Sequence, residues 1–350
     1  MKKYRPWGPA EWALSLDSPK QWHFVGVYGT EYRSLTSWKF LTQLGVISSY
    51  QFVKIMDFDE EKYKKIAEDQ LKLRAREYKD NNGQDRFVKG MNLMSVRFEI
   101  DNLALDVLNS GCSSIILDLS SFPKRFFFII LKKLMEKNPY QENPDRENPV
   151  KNLLLTYTSP SDYASNKNPL YENIQPWRGL PGFGEEETNS GLTDHLIVSM
   201  GFVLEKFQQY IKDNPAEKTS LLIPFPAPLS SLRRTWEAVA TLEMDFEKES
   251  PGGLGRFKKY RVDPLDISAT FDRIKSIAGS SNERLTFAPF ASKPISAAMC
   301  LYAIPQKSQV SYPQPTVYNP EYSIGILHDD PVKAINAYWI KHEGENLYAI

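Results

Sequence analysis

Cysteine is nearly missing from this chain: 350 residues hold two, Cys112 and Cys300. That excludes a disulfide framework and a cysteine-rich zinc site. Net charge is missing too. The 43 basic and 43 acidic side chains cancel, so no overall field gathers a nucleic-acid backbone or an anionic membrane. No run approaches the ~18 uninterrupted apolar residues of a membrane span, and Met1–Trp7 lacks the apolar stretch of a secretory leader. A cytoplasmic protein without a membrane partner is expected. Catalytic and phosphate motifs are equally scarce: there is no Gly-x-Gly-x-x-Gly, no Gly-Lys-Ser/Thr loop and no Gly-x-Ser-x-Gly elbow. The four histidines (His23, His195, His328, His342) show no metal spacing. No cofactor and no metal are expected. Aromatic and basic residues do not cluster as an RNA platform, and Lys62 to Lys79 mixes both signs like a solvated helix face. A long nucleic acid is therefore not an expected partner.

What is present is a core. With 41% apolar and 13% aromatic residues, the chain can bury enough surface for roughly two domains. Apolar runs at His23–Gly29, Tyr50–Met56, Ser114–Asp118 and Leu153–Tyr157 read as strands, and helical periodicity separates them. Strands spaced by helices imply βαβ units and parallel sheets. The pattern resumes with strands at 196–200, 221–223, 284–287 and 309–312, and helices at 203–212, 229–242 and 294–304. Residues 137–150 hold three Asn-Pro pairs and read as a solvated loop. The fold class is thus α/β: tandem Rossmann-like parallel-sheet units, read as an internal duplication. The expected organisation is unit A over 1–165, a linker over 166–192, unit B over 193–325 and a C-terminal segment over 326–350 laid back on the fold.

Four correspondences support duplication. Ser121-Phe122-Pro123 answers Ser292-Lys293-Pro294, and the next strand ends in Tyr-x-x-Pro-x-x-Tyr in both halves, from Tyr157 and from Tyr312. Val27–Arg33 is matched with Ile223–Pro228, and Ile55–Asp59 with Val262–Asp266.

In an open parallel sheet, ligands sit beyond the carboxyl ends of the strands, where helix N-termini converge. Ser120 and Ser121 can cap backbone N–H groups there, Pro123 suits a first helical turn, and Lys124 and Arg125 add charge to a positive dipole end. Ser292 and Lys293 repeat the arrangement, and the small Ser296-Ala297-Ala298 would let a ligand approach the backbone. Gly29 and Thr30 end the first strand, beside Glu31 and Arg33. Either Arg33 grips an anion bidentately, or Glu31 and Arg33 form an internal pair. Arg178, with Trp177, could close over a ligand. Glu31 and Asp118 are the carboxylates an enzyme acting on a nucleotide or nucleotide sugar would use; Asp118 otherwise serves as a structural hydrogen-bond acceptor.

Thr286-Phe287-Ala288-Pro289-Phe290-Ala291-Ser292-Lys293-Pro294, followed by a small-residue helix and a strand, resembles the strand–turn–Lys-Pro–helix signature of CRISPR-associated Rossmann-fold (CARF/SAVED-like) nucleotide-sensor domains. Ala291 departs from the family's usual glycine or threonine. The resemblance implies binding of cyclic oligonucleotides through helix N-termini, with Ser292, Lys293 and Pro294 facing the ligand and Ser120, Ser121 and Lys124 doing so from the other copy. The leading expectation is a sensor or accessory protein of antiviral defence that binds a small anionic, nucleotide-like ligand, with a protein partner as a further possibility. A non-catalytic interaction subunit is the remaining alternative.

Overall fold

The computed structural model describes residues 4–16, 21–56, 61–140, 146–163, 171–174, 178–184, 194–201, 216–227, 229–249, 257–279 and 283–350. Contacts divide the chain into two units: Met1–Gln175 with Gln314–Ala349, and Pro176–Pro313 with the terminal Ile350. The second unit therefore ends at Pro313 rather than 325. The stretch expected as a linker is partly structured: Arg178–Gly179 forms a strand of unit 2, and Leu180 and Phe183 are buried. Residues 164–170 and 185–193 lie outside the described residues.

Unit 1 opens with β1 (Trp7–Pro9), α1 (Ala10–Ser15), β2 (Trp22–Val27), α2 (Thr36–Gln43), β3 (Ile47–Ile55), α3 (Glu61–Asp80), β4 (Val88–Met91), α4 (Arg97–Leu108), β5 (Ser114–Asp118), α5 (Lys124–Met135) and β6 (Asn152–Thr158). Two short strands, β7 (Asp162–Tyr163) and β8 (Tyr171–Ile174), follow. Unit 2 contains β9 (Arg178–Gly179), β10 (His195–Ser199), β11 (Lys218–Pro224), α6 (Leu229–Glu249), β12 (Phe257–Val262), α7 (Ile267–Ala278), β13 (Leu285–Pro289), α8 (Lys293–Gln306) and β14 (Gln309–Tyr312). The chain then returns to unit 1 through β15 (Pro315–Tyr318), β16 (Ser323–Ile324), β17 (Ile335–His342) and β18 (Glu345–Asn346).

The central strands of unit 1 run β6-β5-β2-β3-β4, all parallel. Those of unit 2 run β14-β13-β10-β11-β12, all parallel. Ranked by chain position and read from β4 and from β12, both sheets have the order third, second, first, fourth, fifth, the Rossmann order without its sixth strand. In unit 1 the returning β17 adds antiparallel to β6, and β1 to β17. The C-terminal segment expected to lie back on the fold contributes β17.

This topology corrects two of the four correspondences. Val27 ends the first parallel strand of unit 1, whereas Ile223 lies in the second of unit 2; Ile55 ends a second strand and Val262 a third. The counterpart of His23–Gly29 is His195–Gly201, where the spacing from histidine to glycine is the same. The serine-proline turns and the two tyrosine endings follow equivalent strands, β5 with β13 and β6 with β14.

Burial explains the strands. Every residue of β2, β5 and β10 is buried, as expected for strands covered on both faces. In α5, Phe126 through Leu131 are all buried, and each large side chain contributes about 1.5–3 kcal/mol by leaving water. Trp339 of β17 meets Trp22 edge-on at 5.7 Å and donates its Nε1 to Ala13 O at 2.9 Å. That bond and the β17 ladders tie the returning segment to unit 1. In unit 2, Leu196, Val198, Leu221 and Ile223 close over Val239 and Leu242 of α6.

In the Asn-Pro stretch, where 141–145 lie outside the described residues, the flanking residues 137–140 and 146–150 are less solvated than expected. Asn148 donates its side-chain amide to the carbonyls of Lys133, Leu134 and Glu136, satisfying acceptors that a helix end leaves open. Val150 and Tyr140 are buried. The expected helix at 203–212 and the glycine-rich 251–255 lie outside the described residues.

Candidate functional site

In unit 1 the strand order reverses between β2 and β5, and the residues after their carboxyl ends form the crevice where a ligand of this fold sits. A Cβ built on Gly29 would lie 3.3 Å from Val27 Cγ1 and 4.0 Å from Ser121 Cβ, so the two strand ends meet closely. Arg33, in a 3-10 turn after Gly29, is 1% exposed. Its Nε donates to Glu31 Oε2 at 2.9 Å, one terminal nitrogen donates to Thr158 O at 2.9 Å, and its guanidinium lies 5.4 Å from the Tyr157 ring centroid. Ser323 of β16 donates its hydroxyl to the same Glu31 carboxylate. Of the two readings of Glu31 and Arg33, the structure has the internal pair: the guanidinium is spent on the chain's own oxygens.

Asp118 sits beneath this pair. Its Oδ1 accepts hydroxyls from Ser120 at 2.8 Å, Thr156 at 2.9 Å and Ser37 at 3.1 Å. Ser37 also meets Thr158 Oγ1 at 3.0 Å, and Thr158 N donates to Ser120 Oγ at 2.8 Å. Asp118 Oδ2 has no hydrogen-bond partner among the described residues. Burial pushes the carboxyl up to about 6, against the three hydroxyls, which favour its ionised form.

Ser120 therefore faces Asp118 and Thr158 instead of capping α5. No side chain caps that helix, whose N-cap is Pro123. Lys124 and Thr30 are buried, and Arg125 turns to Ser95 O at 3.2 and 3.3 Å. The structure thus brings Gly29, Glu31, Arg33, Ser120, Ser121 and Asp118 to one edge, as the sequence suggests, and adds Ser37, Thr156 and Thr158. The sequence signal for the threonines was the polar alternation within Leu155-Thr156-Tyr157-Thr158, set in an otherwise apolar strand.

Unit 2 has the equivalent reversal between β10 and β13. Phe290 N donates to Ser199 O and Ala291 N to Ser199 Oγ, each at 3.1 Å. A Cβ on Gly201 would stand 2.2 Å from Phe290 O. Only glycine allows this approach. Helix α8 begins here at Lys293, and Ser292 is its N-cap residue. The Ser292 hydroxyl donates to Pro264 O at 2.7 Å, so no side chain caps α8 either. Ser296 donates to Ser292 O at 3.0 Å. Ser296, Ala297 and Ala298 are buried, which corrects the expectation that they open the backbone to a ligand. Arg178 is exposed on β9, opposite Tyr312 of β14. Trp177 lies outside the described residues.

Among the described residues no group of His, Cys, Asp and Glu could hold a metal ion, and no helix is long and apolar enough to cross a membrane.

No family model and no curated protein matches the chain. Two solved structures align along most of its length. One is a protein assigned as a universal stress protein from Pseudomonas aeruginosa UCBPP-PA14, at 12% identity over 85% of this chain and 94% of that one, with a TM-score of 0.22. The other is a universal stress protein from Archaeoglobus fulgidus DSM 4304, at 11% identity over 84% and 96%, with a TM-score of 0.21. The α/β assignment rests on the strand order of the two sheets.

Proposed function

We propose that the chain binds a small anionic, nucleotide-like ligand at the carboxyl edge of the unit 2 sheet and does not turn that ligand over. The observation that carries this reading is the start of α8. Lys293 opens a helix without a side-chain cap, at the point where Gly201 and Phe290 bring two strand ends together. An uncapped helix N-terminus beside a lysine favours phosphate through backbone N–H groups and charge. The crevice of unit 1 supports the same choice by contrast, because Arg33 and Glu31 fill it from within. Glu31 and Asp118 are both engaged by the chain's own donors, which speaks for binding over turnover. In the sensor reading, the bound nucleotide is a signal of an intracellular antiviral system, and the chain passes it to a protein partner.

A melting screen of the full chain against mononucleotides, cyclic dinucleotides and cyclic oligoadenylates tests this. A ligand present at a hundredfold its Kd stabilises by about 2.7 kcal/mol, so a true ligand raises the melting temperature by several degrees. A flat response across the panel overturns the reading.

A further inference from the structure

At the opposite, amino-terminal edge of the unit 2 sheet a cavity of about 460 Å³ opens between the starts of β10, β11 and β12 and the end of α7. Its lining includes His195, Ser220 and Glu283. His195 Nε2 and Ser220 Oγ are 2.8 Å apart. On the other side of the ring, His195 Nδ1 faces Glu283 Oε2 at 3.5 Å. The second oxygen of Glu283 receives the ammonium of Lys218, which fixes the carboxylate against the imidazole. Hydroxyl, imidazole and carboxylate thus follow one another in the order that activates a serine nucleophile, the outer contact being an ion-pair approach without a formed hydrogen bond. The serine-to-imidazole distance is that of a working pair, and the outer contact is in the looser range seen without substrate. Chain order and fold position differ from every familiar arrangement, but such constellations are defined by geometry and role.

Unit 1 supplies an internal comparison. His23 Nδ1 and Ser49 Oγ are also 2.8 Å apart, across the equivalent strands β2 and β3. There the far nitrogen, His23 Nε2, makes no hydrogen bond among the described residues; His195 Nδ1 makes none either, but has the Glu283 carboxylate 3.5 Å away. The histidine–serine pair is common to both sheets; the carboxylate and the cavity accompany it in unit 2. Burial holds His195 below the ordinary histidine value, and Glu283 pulls the other way, so the ring is neutral near pH 7, as a general base must be.

We propose that Ser220, His195 and Glu283 form an acyl-transfer site that hydrolyses small esters. The cavity admits a short acyl group, and its charged lining is balanced, Lys218 and Lys258 against Glu217 and Glu283. In the first step Ser220 Oγ bonds to the ester carbonyl carbon while His195 Nε2 takes the hydroxyl proton. The tetrahedral adduct expels the alcohol, which leaves with that proton. Water then attacks the acyl-serine, again giving a proton to His195, and the carboxylic acid departs as Ser220 recovers its hydrogen. Ser220 and His195 are the catalytic residues. Glu283 is a positioning residue that acts through the imidazole.

The test is reaction of the full chain with a small-alkyl fluorophosphonate, in which Ser220 Oγ would displace fluoride from phosphorus. Intact mass and peptide mapping locate the adduct. The expected result is one adduct on Ser220, none on Ser49, and loss of labelling in Ser220→Ala and His195→Gln. Glu283→Gln should slow labelling at least about tenfold, with partial recovery in Glu283→Asp, at unchanged melting temperature. Mapping in the unaltered protein decides the matter even if a variant fails to fold. No adduct on the folded chain, or equal labelling of Ser49 and Ser220, would overturn the proposal. Neither result bears on nucleotide binding at the other edge of the sheet.

Discussion

Arg33 reaches across 125 residues of sequence to donate to the carbonyl of Thr158, while its own near neighbour Glu31 takes the guanidinium's Nε. This pair occupies the crevice of unit 1. It is buried on the arginine side and 15% exposed on the glutamate side, so its two members are not equivalent.

Removing Glu31 leaves a buried cation without its counter-charge. Glu31→Gln is expected to cost about 3 kcal/mol, the low end for breaking a buried pair. Glu31→Leu combined with Arg33→Met should cost less than the two single changes added together, because neither charge is stranded. Denaturant melts of the three variants check this.

Two buried groups give stability opposite dependences on pH. Asp118 is raised from 3.8 to about 6 by burial. The folded state holds its proton more tightly, so its contribution is fully present below pH 3.8 and is lost as pH rises through about 6. His23 is lowered from 6.5 to about 4, also by burial. Its contribution is present above pH 6.5 and is lost as pH falls through about 4. Each shift of roughly two units corresponds to about 3 kcal/mol, and in the unaltered chain the two largely offset one another. Asp118→Asn should expose the histidine's dependence, so that stability falls by about 3 kcal/mol more than in the unaltered chain between pH 7 and pH 4. Equilibrium melts at a series of pH values read the difference. Parallel curves for the two proteins would contradict it.

The two equivalent glycines make a sharper comparison. In Gly201→Ala the new methyl would stand 2.2 Å from a backbone carbonyl, that of Phe290, so a strand end must move. In Gly29→Ala the nearest atom is a valine methyl at 3.3 Å. Gly201→Ala is expected to lose about 2 kcal/mol or more and Gly29→Ala under about 1 kcal/mol. Denaturant melts give both values, and equal losses would sink the account of the unit 2 strand ends.

The parallel sheets were legible because their strands are uniformly apolar and their turns carry proline and glycine; Ser114–Asp118 appears with the bounds its sequence suggests. Strand β12 was not legible. Its Phe-Lys-Lys-Tyr-Arg-Val is an edge strand with exposed lysines and lacks the apolar run of a central one. That the C-terminal segment lies back on the fold was expected, but its start at 314 and its partner strand were hidden for a different reason. Pairing of β17 with β6 depends on contacts far apart in sequence, such as Trp339 with Trp22, and no local pattern announces them. At the site, the glycine and serine turns could be read from local chemistry. The roles of Arg33 and Ser120 could not, because each is set by partners on other strands.

Nucleotide binding at the carboxyl edge of unit 2, through the start of α8, can be tested on a single residue. Isothermal titration of the full chain, unaltered and as Lys293→Ala, with the best ligand of the melting screen measures this most directly. Saturable binding is expected, weakening at least about tenfold on loss of the lysine's charge-assisted contact. Binding that is indifferent to Lys293→Ala, or no heat from any nucleotide, would contradict it.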